Sequence, residues 1–200
     1  MTLFPGIIYG PDDDAKGATF NPERTHRYRC WRTWNTDLPP LAWLMLNPST
    51  ADEKDLDPTL KRVRAFSIAW GFGGFEVWNL WSLRSTDPAG LWAWPGLDRA
   101  GEGGPNAEAI DQQLPRFRDV VCAWGDFSAC PAGRRQFAAA LARSTVIGLY
   151  SVAGYHGNSL SLWCLGRTKS GQPIHPLARG KHRIPDGSPR IPFHPTGAAP

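Results

Sequence analysis

Short runs of nearly uninterrupted apolar residues, each closed by a polar or glycine step, constrain this chain more than any other feature. Leu41–Leu46 reads LAWLML, Phe75–Leu80 reads FEVWNL, and Val120–Trp124 reads VVCAW before Gly125. Runs this short are strands, and continuous apolar character marks strands covered on both faces. Leu160–Leu165 is a further strand ended by Gly166, and the alternating HRYRCWRTW of His26–Trp34 is another. Helical segments separate them. Asp57-Pro58 opens one, with Asp at the N-cap and Pro at the first turn, and Leu60, Val63, Phe66, Ile68 and Ala69 form its apolar side. A short helix capped by Asn106 runs to Pro115, and another spans Pro131–Arg143 with Phe137, Ala138, Leu141 and Ala142 as its apolar side. Strands alternating with helices predict an α/β fold in three α/β/α layers around a mainly parallel sheet.

The predicted organisation is a poorly ordered arm over residues 1–25, one α/β domain over 26–184, and an irregular tail over 185–200. The Gly-, Pro- and Trp-rich stretch Ser85–Asn106 reads as a long loop. Cys30, Cys122, Cys130 and Cys164 lack the spacing of a zinc knuckle and read as buried free thiols in a reducing compartment. Neither a leader pattern at Met1 nor an apolar stretch of membrane-spanning length is evident, so a cytoplasmic location and no membrane partner are expected. The net charge is +4, compatible with a polyanionic partner, and basic residues cluster at Arg179, Lys181, His182 and Arg183. Ten tryptophans require that most be half-buried or line a cleft.

In a sheet of this kind ligands bind beyond the carboxyl ends of the strands. Three polar clusters fall there. LAWLML runs into Asn47-Pro48-Ser49-Thr50, FEVWNL runs through Asn79 toward Arg84, and the last strand runs through Lys169 to His175-Pro176. Turn chemistry alone also accounts for such residues. Read for function, Asn47 holds a water or a base edge, and Ser49 and Thr50 cap a helix or bind phosphate at its amino end. Asn79 reads the edge of a base, and His175 acts as electrophile or acid beside a developing anion. Asp57 is read as a helix cap. The glycines of Gly71-Phe72-Gly73-Gly74 lack the Lys-Ser/Thr of a phosphate loop, and no histidine pair has metal spacing on a helix. Neither a cofactor nor a metal is therefore expected.

The stretches YRCWRTWN, LAWLMLNPSTADEKDLDPTLKRV, WGFGGFEVWNLWSLRSTDP, GPNAEAI, VVCAWG and LGRTKSGQPIHPL together resemble the family known as domain of unknown function 1643. More distantly, the order of motifs is similar to that of the uracil-DNA glycosylase superfamily. That resemblance implies that Asn47 orients an attacking water, Asn79 reads the target base and His175 stabilises the departing base anion. A stacking aromatic is expected among Trp78, Trp81 and Phe72. Arg84, Lys169, Arg179, Lys181 and Arg183, with Ser49 and Thr50, are the expected contacts to phosphate or nucleic acid. Ser49 stands where that superfamily carries glycine, and His175-Pro176 continues as Leu177-Ala178 rather than Ser-Pro. The expected partner is a nucleic acid or nucleotide. Glycosylase-like hydrolysis is one expectation, and a non-catalytic binding module on the same fold is the alternative.

Overall fold

In the computed structural model, residues 8–9, 16–49, 51, 54–93 and 104–194 are described. They form one mixed sheet of eight strands: β1 (Ile8–Tyr9), β2 (Lys16–Phe20), β3 (Arg27–Thr33), β4 (Pro40–Met45), β5 (Gly74–Asn79), β6 (Asp119–Cys122), β7 (Ser161–Cys164) and β8 (Ile191–Pro192). The spatial order is β1-β2-β3-β5-β4-β6-β7-β8. Four helices accompany it: α1 (Pro58–Ala69), α2 (Pro88–Ala93), α3 (Pro105–Gln113) and α4 (Ala132–Tyr155).

The expectation of a mainly parallel sheet is corrected. Pairings β5–β4, β4–β6 and β6–β7 are parallel, but β1–β2, β2–β3, β3–β5 and β7–β8 are antiparallel. The physical reason lies in the two chain ends. The four apolar runs legible in the sequence are β4–β7, which need crossover helices and so run parallel. The flanking segments connect by short turns or return along an edge, and those connections give antiparallel strands.

Both ends of the chain also contribute more than expected. Residues Lys16–Phe20 form β2, with Ala18 and Phe20 fully buried, rather than part of a loose arm. Beyond residue 184, β8 pairs with β7 and Phe193 enters the core edge-on to Trp124, with ring centroids 5.5 Å apart. Arg62 holds this tail by an ion pair to Asp186 and a 2.6 Å bond to the Ile184 carbonyl.

Helix α1 starts where Asp57-Pro58 placed it: the Asp57 carboxylate accepts from the Leu60 N–H at 2.8 Å. Its Leu60, Val63 and Phe66 cover one sheet face, against Leu41, Trp43, Phe75, Val77 and Val121. The other face carries Ala42, Leu44, Trp78, Val120 and Cys122 under α3 and α4. Helix α4 runs twelve residues past Arg143, to Tyr155, and Phe137 is exposed while Ala138, Leu141, Ala142, Val146 and Leu149 face the core. By length and composition alone α4 is apolar enough to cross a membrane, yet these five side chains are packed in the core. All four cysteines are free and buried.

Within Ser85–Asn106, expected to be a loop, Pro88–Ala93 forms α2 and buries Leu91 and Trp92. Asn106 lies inside α3 rather than at its cap, which is Gly104.

Candidate functional site

The chain passes from β4 through α1 to β5 on one side of β4, and β6 later pairs on its other side. That reversal is a topological switch point, and it leaves a crevice beyond the carboxyl ends of the parallel strands. A cavity of about 410 Å3 opens there. Small-molecule sites span roughly 300–1,000 Å3. Its walls bring together Asn47 from the end of β4, Asn79 from the end of β5, Trp124 and Gly125 after β6, and His175 from the segment after β7. The three polar clusters, more than 120 residues apart at their extremes in numbering, thus share one cleft.

Asn79 is the last residue of β5 and is 1% exposed. The Asn106 side-chain nitrogen donates to the carbonyls of Asn79 and Leu80, at 3.1 and 3.2 Å, and so fixes the backbone there. The Asn79 side-chain nitrogen is itself buried with no hydrogen-bond partner among the described residues. An amide donor buried without a partner carries a desolvation cost of roughly 1–3 kcal/mol, which a bound acceptor removes.

Asn47 has a different part. Its side-chain nitrogen donates to the carbonyls of Pro48, Leu83 and Ser85, at 3.1, 3.4 and 3.0 Å. It therefore ties the segment after β4 to the one after β5, and its oxygen is the atom left for a ligand or water. The Ser85 N–H to Pro48 carbonyl bond, 2.8 Å, closes the same junction.

His175 is half-buried, and its Nδ1 accepts the Leu177 N–H at 3.1 Å. That bond assigns the ring proton to Nε2, making Nε2–H a donor. Burial pulls the imidazole pKa down to about 4, against an upward pull from Asp57, so the ring is neutral near pH 7. Gly125 is called for by its backbone, with φ of +81°; a Cβ there would stand 3.5 Å from the His175 Cβ, an ordinary contact. Its N–H donates to the Pro173 carbonyl at 2.9 Å, anchoring the histidine segment to the end of β6.

Other residues expected at the site fall differently. Ser49 lines the cleft, but no helix starts there; α1 begins at Pro58, so the expected phosphate site at a helix terminus does not form at Ser49. Thr50 lies outside the described residues, as does the side chain of Lys181. Arg179 is exposed on the cleft wall. Lys169 and Arg183 are exposed and are not on that wall. Arg84 bonds the carbonyls of Ser49 and Arg24, at 3.4 and 3.0 Å, and braces loops. Trp78 and Trp81 are core residues, 1% and 0% exposed, and neither reaches the cleft. Trp78 alternates with Asn79 on β5 and so points to the opposite sheet face. Trp81 packs edge-on against Trp92, with centroids 4.9 Å apart.

The aromatic wall is instead Trp92, Trp124 and Phe127. Trp124 is held by a 2.9 Å bond from its Nε1 to the Gln172 side chain, and it also lines a second cavity of about 260 Å3 with Gln136, Arg143 and Phe193. Asp57, Arg27, Asp126, Cys130 and His182 are also on the wall. Burial pushes the Cys130 thiol up, which keeps it protonated and a poor nucleophile. Among the described residues no three His, Cys, Asp or Glu side chains gather into a metal set. Arg27 had a readable signal: an antiparallel neighbour of β5 starts where β5 ends, so the first residue of β3 lies at the rim. Trp92 and Phe127 had none, because their segments carry no periodicity.

Residues 27–177 match a family model described as "Protein of unknown function (DUF1643)". No curated protein and no solved structure matches the chain significantly.

Proposed function

Since the chain belongs to the DUF1643 family, whose description names no activity, the reading rests on the cleft, and we propose that it binds a nucleobase and hydrolyses its N-glycosidic bond. The observation that carries this is that Asn79, whose side-chain nitrogen is buried without a partner among the described residues, lines the same cleft as the neutral His175. A base offers ring nitrogens and carbonyl oxygens to such donors, and an aromatic wall of Trp92, Trp124 and Phe127 suits a flat ring. Stacking on an aromatic contributes about 1–3 kcal/mol per base.

In this reading the base leaves with the electron pair of the C1′–N bond. Its anion is held by the His175 Nε2–H and the Asn79 amide, donors already in place before reaction. A neutral donor suits the task, because a charged imidazolium would instead surrender its proton. Water positioned by the Asn47 oxygen adds to C1′, and the Asp57 carboxylate, on the same wall, takes its proton. The distant likeness to the uracil-DNA glycosylase superfamily supports the same roles for Asn47, Asn79 and His175, and the nucleic acid approaches along the side of Arg179.

Incubation with oligonucleotides containing uracil, mismatched or hypermodified bases, and with the free nucleosides, should release base and leave abasic sugar. His175→Ala should slow release by roughly 100-fold or more, as loss of one oxyanion donor does. Binding without release on every substrate sinks the hydrolase reading. It would leave the second one, a module that senses nucleotides or nucleic acid without chemistry. One observation favours that alternative: the Asn47 amide is already held by three carbonyls, so Asn47→Ala would loosen the loop junction rather than remove a reactive group.

A further inference from the structure

Arg27 is the first residue of β3, is 2% exposed, and lines the cleft. A buried guanidinium normally meets a carboxylate, because an unpaired charge away from water is strongly disfavoured. Here no ion pair to Arg27 exists among the described residues. One terminal nitrogen, Nη1, donates to the Ala51 carbonyl at 2.7 Å, and Nε is buried with no partner. Among the described residues the acceptor that this five-donor fork meets is neutral, the Ala51 carbonyl.

Its surroundings are built rather than accidental. The Arg27 N–H donates to the Ser82 carbonyl at 2.8 Å, and the Arg84 N–H to the Thr25 carbonyl at 2.9 Å, so the segment after β5 is stitched to the start of β3. That same segment is stitched to Pro48 through Ser85 and to Asn47. Arg27, Ser49, Ser85 and Thr86 therefore share one end of the cleft wall. Among the described residues, the acidic ones on the cleft wall, Asp57 and Asp126, belong elsewhere. Asp126 follows β6, three places from β3 in the sheet, roughly 14 Å at the usual strand spacing. Asp57 acts on His175.

We propose that the Arg27 end of the cleft is an anion subsite that takes a phosphate group of the ligand, so that the substrate is a nucleotide and not a neutral nucleoside. The identification of the anion as a nucleotide phosphate rests on the nucleobase reading above; the anion subsite itself does not. Phosphate matches a planar guanidinium fork in two-point geometry, and charge-assisted hydrogen bonds are about twice as strong as neutral ones. The group is either the phosphate of a free nucleotide or one in a nucleic-acid backbone.

The test is calorimetric titration of the full chain at low salt with the four deoxynucleosides, their 5′-monophosphates, inorganic phosphate, and a short single-stranded oligonucleotide. The monophosphate should bind tenfold or more tightly than its nucleoside, Arg27→Gln should erase that margin, and Arg27→Lys should keep part of it. Because Arg27 is buried, a second measurement avoids substitution altogether: the side-chain Nε–H resonance of Arg27 should shift when inorganic phosphate is added to the unaltered protein. Monophosphate as the tighter arm assigns a free nucleotide, and the oligonucleotide as the tighter arm assigns a backbone phosphate; either supports the subsite. A shift of the Arg27 resonance with phosphate, but no binding of any nucleoside or nucleotide, keeps the subsite and ends the nucleobase reading. Equal affinity for nucleoside and monophosphate, a margin unchanged in Arg27→Gln, or an Arg27 resonance that stays put overturns the proposal.

Discussion

Acidification should weaken this fold through one imidazole. Burial lowers the pKa of His175 from its ordinary 6.5 to about 4. The unfolded chain therefore takes up the proton first as pH falls, and the stability contributed by the neutral ring is lost between pH 6.5 and 4. From those two values, linkage gives a loss of about 2 kcal/mol between pH 7 and 5, and about 3 kcal/mol by pH 4. Both are upper limits, because the ring is half-buried and the cleft admits water. Asp57 pulls the pKa up and narrows the window without reversing its sign; Arg179 and His182 face the same cleft. Urea denaturation of the protein and of His175→Asn at pH 7 and 5 isolates the effect, since the other four histidines are common to both proteins. The stability difference between the two proteins should shrink or invert toward pH 5. Direct observation of the ring by NMR gives the second check. Titration of the His175 ring at pH 6 or above would refute both the desolvation argument and the neutral donor built on it.

Replacing Asn79 by Leu removes a buried amide nitrogen that lacks a partner among the described residues, so stability should hold or rise by about 1 kcal/mol in urea melts, while nucleotide binding by calorimetry should vanish. Glu76 is bound at two points by Arg29, both 2.7 Å, and Glu76→Ala should cost about 3 kcal/mol by the same melts; retention of full stability would show the pair to be idle. Truncating Phe193 to Ala should cost about 3–5 kcal/mol if the tail is part of the core, measured as a lowered denaturation midpoint. Loss of the Asp57 cap in Asp57→Ala should remove about 1 kcal/mol from α1 and, on the hydrolase reading, abolish base release, which an abasic-site assay separates from stability.

The central strands were readable because their chemistry is local. A run such as LAWLML, six residues long and closed by Asn47-Pro48, is too short for a core helix and suits a strand buried on both faces, and Asp57-Pro58 carries its own helix start. The convergence of Asn47, Asn79 and His175 was readable because parallel strands bring their carboxyl ends to one rim. Beyond that, sequence patterns fail for physical reasons. Strand β2 is KGATF, and its Gly17 exists to receive the Trp31 ring, which would meet a Cβ at 2.0 Å; that cross-strand demand leaves no periodic trace. Strand β8 has two residues, and only the burial of Phe193 reveals its value. Trp78 and Trp81 invited a stacking role because tryptophan serves cores and clefts alike. On a strand, adjacent residues face opposite ways, so Asn79 in the cleft required Trp78 to be elsewhere.

Trp124 borders two hollows, one of about 410 Å3 and the other of about 260 Å3. A single indole, moored by Gln172 and braced edge-on by Phe193, thus shapes both, and a smaller side chain at this position would enlarge the two at once.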